Sequence, residues 1–343
     1  MKLIITLLGL LAFSPLLSYA HHSRAHYSEE IQEINGELLE LIWRNPHAGF
    51  TLMVETRTGE REIWEVESWS SPYVMSRMGV SSQLFRIGDQ IRVAGRLSTR
   101  RSRNLLAINV LLPNGDEVVL AANAGPYWSG DHVGGLEQWS SEVASSEVAN
   151  AVDGGIFRVW SINYVYGEQF NFSFTKEALE ARAEWNDLDN FMVRCESAGM
   201  PYSMRMPFPF EFIDEGTKII LRVEYMDTVR TIHMDVEETP VSVSATPSGY
   251  SVGYWEGDTL IVDTDRIRFP YFDDLGTPQS EAIEVREEFT LSEDRTSIKY
   301  TMTITDPATF TESATVYMER LDLGETVKPF DCRRLFTCIS ILQ

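Results

Sequence analysis

Apolar and polar residues alternate with a period of two along residues 31–120, which is the pattern of strands with one buried face. Residues 34–55 contain two such runs, broken at "RNPHAG", and "REIWEVES" at 61–68 is a third. Residues 88–120 contain three more runs, and the last two are joined by "PNGD", a tight hairpin signal. The pattern predicts five or six strands.

One short helix interrupts these strands at "SSPYVMSRMGV". Ser71 is a candidate N-cap, Pro72 suits the first helical position, and Gly79 suits the helix end. A single helix before the fourth strand is the element order of an OB-like barrel. We therefore predict an OB-like small β-barrel domain over residues 28–122.

Alternation returns in a second block, residues 154–332, after a stretch at 123–153 that is rich in Gly, Ser and Ala and is typical of a linker. Apart from a short helix capped by Thr175, the block consists of strand-like runs separated by turns. This predicts a mainly β protein whose C-terminal domain is an antiparallel, lipocalin-like β-barrel. A β-sandwich is the alternative, and residues 333–343 form a tail.

Composition limits the classes of partner. The 343 residues carry 29 Lys and Arg against 51 Asp and Glu, a formal net charge of −22. Such an excess of negative charge argues against nucleic acids and anionic membrane surfaces as partners. The length exceeds what one hydrophobic core usually supports, so we expect two domains.

The start of the chain predicts export. Residues 1–20 combine Lys2, an apolar run, and Ser18 and Ala20 at the positions of a small-residue cleavage site. We expect a signal peptide cut after Ala20, a periplasmic or secreted protein, and no transmembrane segment after cleavage. An uncleaved anchor is the alternative. In an oxidising compartment Cys195, Cys332 and Cys338 allow one disulfide, with Cys195–Cys332 favoured over Cys332–Cys338.

Several motifs resemble known exported proteins. "HHSRAHY", "INGELLELIWRNPHAGFTL", "WEVES" and "GDQIRVAGR" are similar to a family of uncharacterised exported bacterial proteins with a small N-terminal barrel. The second block resembles a companion module through "CESAGMP", "EYMDTVRTIHMD", "GYSVGYWEGDTLIVDT" and "TITDP". The resemblance implies export and two β domains. It implies no particular reaction.

Histidines near the predicted cleavage site are candidate metal ligands. Cleavage after Ala20 would give His21 a free amine beside its imidazole, with His22 and His26 close by. His47 in "NPH" could complete the set if this segment folds back on the first barrel. Such nitrogen ligands suit copper, nickel or zinc. The alternative is a solvated tail and a His47 that only follows a turn.

Charged residues on two predicted neighbouring strands form a second candidate site. His233 and Asp235 are a candidate acid–base pair, with Arg230 and Glu256 as further catalytic candidates. Buried ionisable groups in a barrel must be paired, which perturbs their pKa values. The alternative is a solvated outer face. Arg222, Glu224 and Arg286 complete the predicted polar pocket and are candidates for ligand binding.

Apolar ligand-binding candidates lie mainly in "GMPYSMRMPFPFEF" at 199–212, which its three prolines predict to be a loop. Such a loop could cover a ligand cup or simply pack over the barrel end. The candidates are Met204, Met206, Phe208, Tyr225 and Trp255.

Three functions remain open on this evidence. The first is an exported binding or accessory protein that holds a small apolar or amphipathic ligand in the C-terminal barrel. The second is an enzyme of the isomerase, lyase or hydrolase type in the same barrel, and the third is a periplasmic metal-binding protein. Phosphate loops, nucleophile elbows, HExxH and CxxC motifs are absent from the sequence.

Overall fold

Two β-barrels follow each other along the chain. The structure, a computed structural model, describes residues 27–128, 131–139, 155–163, 169–185, 189–192 and 194–332. The predicted signal peptide, His21, His22, His26 and the tail at 333–343 lie outside the described residues. None of the described helices is long and apolar enough to cross a membrane.

Five strands close the first barrel, which we call the small barrel. Their order is β3-β2-β1-β4-β5, and a parallel pairing of β5 with β3 completes the ring. This confirms the OB-like prediction. The strands are β1 Tyr27–Ile42, β2 Gly49–Glu55, β3 Arg61–Ser68, β4 Gln90–Ser98 and β5 Asn104–Leu111, and β6 Glu117–Val119 and β7 His132–Gly134 extend the sheet beyond β5.

The predicted helix connects β3 to β4 as α1, Pro72–Arg77. The Ser71 hydroxyl accepts a hydrogen bond from the Val74 N–H at 3.3 Å, so the predicted cap is formed. Inside the ring the core is aliphatic and aromatic, with Leu38, Phe50 and Leu52 fully buried. The stretch predicted as a linker contributes β7 and the buried Trp139 to this barrel.

Nine strands close the second barrel, which we call the large barrel. Going round it, the order is β8-β10-β11-β12-β13-β14-β15-β16-β17, and β17 returns to β8. Strand β9 pairs with β17 outside the ring. The strands are β8 Val159–Ile162, β9 Gln169–Asn171, β10 Phe210–Asp214, β11 Lys218–Val223, β12 Thr228–His233, β13 Tyr250–Glu256, β14 Thr259–Asp265, β15 Glu284–Leu291, β16 Ser297–Thr305 and β17 Ala314–Leu321.

A closed barrel replaces the β-sandwich alternative, and its strands follow the predicted up-and-down order. One pairing departs from the prediction, because β12 and β13 are parallel. Sixteen residues connect these two strands, and such a long crossover allows the second strand to return in the direction of the first. The predicted helix behind Thr175 is confirmed as α2, Lys176–Ala183.

The prediction that residues 199–212 form only a loop is wrong. Tyr202–Arg205 form a short helix, α3, and β10 begins at Phe210, directly after the last proline of the segment. Proline is compatible with a strand start, where its missing N–H breaks no ladder. Large side chains fill the barrel interior, among them Trp160, Phe212, Phe289 and Tyr300, which are almost completely buried.

A segment that we call the strap, residues 325–332, joins the two barrels. Glu325 accepts a hydrogen bond from the Tyr73 hydroxyl at 3.0 Å and pairs with Arg77 at 3.2 Å, both on α1. Asn45 of the small barrel donates to the Phe330 carbonyl at 2.8 Å. The strap ends in the predicted Cys195–Cys332 disulfide, which is present with a Cα–Cα distance of 5.8 Å.

Candidate functional site

The ladder of the large barrel opens between β12 and β13. All six residues of β12 pair with β11, but only Ile232 and His233 pair with β13, opposite Ser251 and Val252. In the continued parallel register, Arg230 would lie opposite Gly249. The backbone segments on either side diverge before that point. We call this gap between β12 and β13 in the barrel wall the fork.

Gly249 turns the chain out of the ladder at the fork. Its φ is +72°, a left-handed conformation that favours glycine, and its N–H closes a turn on the Thr246 carbonyl at 3.1 Å. A Cβ at this position would lie only 2.5 Å from the Asp265 carbonyl oxygen. No other residue fits here without displacement of its neighbours, so the glycine determines where the wall opens.

A cleft of about 490 Å³ fills the fork. One wall is β12 with Val229, Thr231 and His233, and the opposite wall is the segment 246–251. Ser197 and Ala198, close to the disulfide at Cys195, line a further side, and Asp227 lies at one end. This volume falls in the usual range for small-molecule sites.

A buried ion pair lies beneath the cleft, inside the barrel. Arg230 is 2% exposed and its guanidinium binds the Glu287 carboxylate with both terminal nitrogens, at 3.1 and 2.5 Å. The Tyr300 hydroxyl donates to the same carboxylate at 2.6 Å. Arg230 also donates to the hydroxyls of Ser251 and Thr264, each at 3.1 Å, and so joins β12 to β13 and β14.

This network holds fixed charge states. Burial by itself would lower the pKa of Arg230, but the adjacent Glu287 carboxylate outweighs burial and the pKa is raised. Burial and then Glu287 raise the pKa of Tyr300 well above its usual value. Arg230 is therefore a compensated cation and Tyr300 a neutral donor across the physiological range.

His233 lies on the outer wall of the cleft, not inside the barrel. Its ring stacks on the Tyr250 ring with centroids 4.3 Å apart and an interplanar angle of 11°. Partial burial, followed by the positive charge of Lys218, lowers the pKa of His233. The imidazole is consequently neutral at pH 7 and forms an aromatic platform at the edge of the cleft.

The motifs of the companion module meet around this cleft. Gly199 packs so closely under the far wall that a Cβ would lie 2.4 Å from the Pro247 carbonyl oxygen, and the Met200 N–H donates to the same oxygen at 2.9 Å. Glu224 and Asp227 accept hydrogen bonds from the Lys328 and Phe330 N–H groups at 3.0 and 3.1 Å. The segments "CESAGMP", "EYMDTVRTIHMD" and the start of "GYSVGYWEGDTLIVDT" thus support one site.

The four catalytic candidates do not converge. Arg230 points into the barrel, whereas His233 is outside it and Asp235 lies exposed beyond the end of β12. Glu256 is at the tip of the β13–β14 hairpin with its side chain 61% exposed, and its nearest cation is Arg286 at 4.0 Å. Glu256 therefore does not lie beside Arg230 in the barrel interior.

The ligand-binding candidates are also dispersed. Arg222 pairs with Glu211 at 3.1 Å, and Arg286 pairs with Asp263 at 3.2 Å, both on the outer surface. Trp255 is 44% exposed near Phe157. Glu224 is buried beneath the strap, and the four apolar candidates are packed in the core there: Met204, Met206, Phe208 and Tyr225.

His47 is the metal candidate that the structure describes. Its Nδ1 lies 2.5 Å from a Glu67 carboxylate oxygen, and the imidazole is largely buried. A carboxylate at Nδ1 fixes the ring and directs Nε2 toward a ligand, as in many histidine metal sites. Among the described residues, no group of three or more His, Cys, Asp or Glu side chains is arranged to hold a metal.

Sequence reasoning missed Glu287, Arg320 and Glu67. Glu287 lies between Val285 and Phe289 on the buried face of β15. A charged residue at a position where the alternation predicts an apolar one was the signal that could have identified it. Arg320 follows Met318 on the buried face of β17 in the same way. Glu67 is the second of the two acidic residues of "WEVES", one of the quoted motifs.

Comparison with known proteins gives one match. Residues 10–106, which cover most of the small barrel, match a family described as "Family of unknown function (DUF6152)". This agrees with the resemblance to an uncharacterised family in that part of the chain. No match was found among curated proteins.

Proposed function

We propose that this chain is an exported binding or accessory protein that holds a small ligand in the cleft at the fork between β12 and β13. The observation that carries the proposal is the fork itself. A closed barrel is opened at one point by Gly249, and three sequence motifs meet there. Because side chains fill the barrel interior, we propose a site in the barrel wall and not in the lumen.

Binding fits this cleft better than acid–base catalysis. Arg230 and Glu287 neutralise each other, and Tyr300 is held protonated. His233 is stacked on Tyr250, with Asp235 beyond the strand end. The cleft therefore offers hydroxyl groups, an aromatic platform and a rigid polar floor, but no converging acid and base.

A ligand panel tests this proposal. We would measure the thermal unfolding midpoint of the exported protein with neutral sugars, short peptides and amphipathic lipids. A ligand that binds the native state raises the midpoint in proportion to its concentration over Kd. We expect Ser248→Trp, which fills the cleft, to abolish the shift, and Val241→Trp, at an exposed site, to preserve it. An equal shift in both variants would place the ligand elsewhere.

Export requires its own test. Amino-terminal sequencing of the protein from the periplasm or medium should give His21 as the first residue. A chain that retains residues 1–20 after fractionation would contradict the proposed cleavage.

The His47–Glu67 pair supports a second candidate function, metal binding in the small barrel. Tyr27, the first described residue, donates from its hydroxyl to Asn104 at 3.0 Å, and Asn104 is the β5 partner of Glu65 on β3. The start of β1 thus contacts β5, the strand that pairs with the strand carrying Glu67.

Calorimetric titration of the exported protein with copper, nickel and zinc tests this candidate. We expect one equivalent to bind, with at least tenfold weaker affinity in His47→Gln, and His233→Gln as an unaffected control. Unchanged affinity in His47→Gln would exclude His47 as a ligand.

A further inference from the structure

Strand β12 keeps an open edge inside a closed barrel. Four of its six residues, Thr228 to Thr231, have a strand partner on the β11 side only within the described part of the chain. Closed barrels normally leave no such edge, because free backbone N–H and C=O groups invite pairing with another strand. Here the edge borders the cleft.

Segment 246–249, on the opposite wall of the cleft, does not hydrogen-bond to this open edge through its Thr246 and Pro247 carbonyl groups. The Pro247 carbonyl accepts from the Met200 N–H at 2.9 Å, and the Thr246 carbonyl accepts from Gly249 and Arg268 at 3.1 and 2.8 Å. Segment 246–249 thus directs its carbonyl groups to other partners. The edge of β12 is left facing a space that can take an additional chain.

The open edge of β12 has the length of a short extended peptide. Four residues of β-strand span about 13 Å at about 3.3 Å per residue. A peptide of about four residues would match the open edge from Thr228 to Thr231. It would end where Ile232 begins to pair with Ser251.

The charges around the cleft favour a neutral ligand. The Arg230 guanidinium is compensated by Glu287, and Asp227 already accepts from the Phe330 N–H. The remaining polar lining consists of hydroxyls, such as those of Ser197, Thr231 and Ser248, and of the neutral His233 imidazole. Uncharged main-chain amides suit this lining better than a phosphate or a carboxylate does.

We propose that the cleft binds a short extended peptide of about four uncharged residues, which adds as an extra strand to the open edge of β12. The peptide backbone exchanges hydrogen bonds with the Val229 N–H and C=O and with the Thr231 N–H, which face away from β11, and its alternate side chains face Val229 and the His233–Tyr250 platform. This inference rests on the proposed function and names the ligand class of the same cleft.

The first probe is a pool of capped tetrapeptides, acetylated and amidated, made from Ala, Ser, Thr and Val. Binding to the full exported protein with its disulfide intact would be read by native mass spectrometry. We expect a subset of peptides to bind wild type and Val241→Trp, and Ser248→Trp to lose at least tenfold in affinity.

Backbone methylation then separates strand addition from side-chain binding. In an extended peptide, alternate N–H groups face β12 and the others face away. Methylation of one alternate set should weaken binding at least tenfold more than methylation of the other. Peptide binding should also slow amide hydrogen exchange at Val229 and Thr231, whose N–H groups face away from β11.

Each contrary outcome has a distinct meaning. If sugars or lipids bind in a manner sensitive to Ser248→Trp and no peptide does, the peptide proposal is overturned and the proposed function stands. Equal losses for both methylated sets would overturn strand addition. If no probe binds in a manner sensitive to Ser248→Trp, both proposals fall.

Discussion

Among the described residues, the closed ring of each barrel contains one parallel strand pair, and the two pairs behave differently. In the small barrel, β3 and β5 pair over four consecutive residues, from Glu65–Asn104 to Ser68–Ala107, and the Glu65 N–H continues the ladder to Arg103 at 2.9 Å. In the large barrel, β12 and β13 pair over two residues and then fork. A parallel seam can therefore close a barrel or leave a cleft in it, and in the large barrel the cleft begins at Gly249, just before the first paired residue of β13.

The interiors differ in the same sense. The core inside the ring of the small barrel is apolar, and the buried Glu117 of its sheet lies on β6 outside the ring, whereas the large barrel buries Arg230, Glu287 and Arg320. The Arg320 guanidinium donates to the carbonyls of Met204 and Phe208, at 3.1 and 3.3 Å, and so holds the segment behind α3. Burial of a charged group costs free energy unless the group is paired. The hydrogen bonds of Arg230 and Arg320 offset part of this cost and fix the positions of the segments that they contact.

Breaking the buried ion pair should give the largest effect. Glu287→Ala leaves Arg230 buried without its counter-ion and should cost about 3–5 kcal/mol in the free energy of unfolding. Denaturant titration measures it. In the small barrel, Glu33→Ala removes an exposed pair with Arg92 at 3.7 Å and should cost less than about 1 kcal/mol. Equal costs would contradict the conclusion that burial makes Arg230 depend on Glu287 for its compensation.

Removing the disulfide should come next. Cys195 and Cys332 are 137 residues apart, and Cys332→Ser should lower the free energy of unfolding by about 2–5 kcal/mol. Thermal unfolding with and without reductant checks this result. Cys338→Ser leaves the Cys195–Cys332 bond intact and should match wild type, and a destabilised Cys338→Ser would argue for exchange between the two pairings.

A glycine substitution tests the fork. Gly249→Ala combines a positive φ with a Cβ only 2.5 Å from a backbone oxygen, and should cost about 1–3 kcal/mol and change the cleft. Gly257→Ala has a similar φ of +60° but open space around its Cβ, so it should cost about 1 kcal/mol. Chemical denaturation of both variants separates crowding from backbone conformation, and a Gly257→Ala penalty as large as that of Gly249→Ala would refute the crowding argument.

The smallest effect should be a pH dependence at His233. Burial and Lys218 place its folded pKa below its unfolded value of about 6.5, so the unfolded state binds the extra proton first. Its contribution to stability is complete above pH 6.5 and is lost as the pH falls through that value towards the folded pKa. Unfolding of wild type and His233→Gln between pH 7.5 and 5 should show a shallower decline in the variant. Parallel curves would exclude this role.

Alternation along the chain predicted both barrels, the residue types Ser71 and Thr175 predicted both helix caps, and the expected oxidising compartment led us to favour the Cys195–Cys332 pairing that is present. The cleft was less accessible, because a fork depends on the end of a parallel pairing between strands that are sixteen residues apart in the chain. Sequence alternation placed Arg230 on a strand but could not show that its partner is Glu287, 57 residues away. The glycines of "GYSVGYWEGDTLIVDT" are compatible with backbone conformations that other residues rarely adopt. Gly249 adopts such a conformation, with a positive φ, where the chain leaves the ladder at the fork.

The most direct test of the central claim is to ask where a natural ligand binds. Wild type, Ser248→Trp and Val241→Trp would be exported from the same cells, purified gently and compared by native mass spectrometry. We predict the same low-mass ligand on wild type and Val241→Trp and its absence from Ser248→Trp. Equal occupancy in Ser248→Trp would contradict the assignment of the fork between β12 and β13 as the binding site.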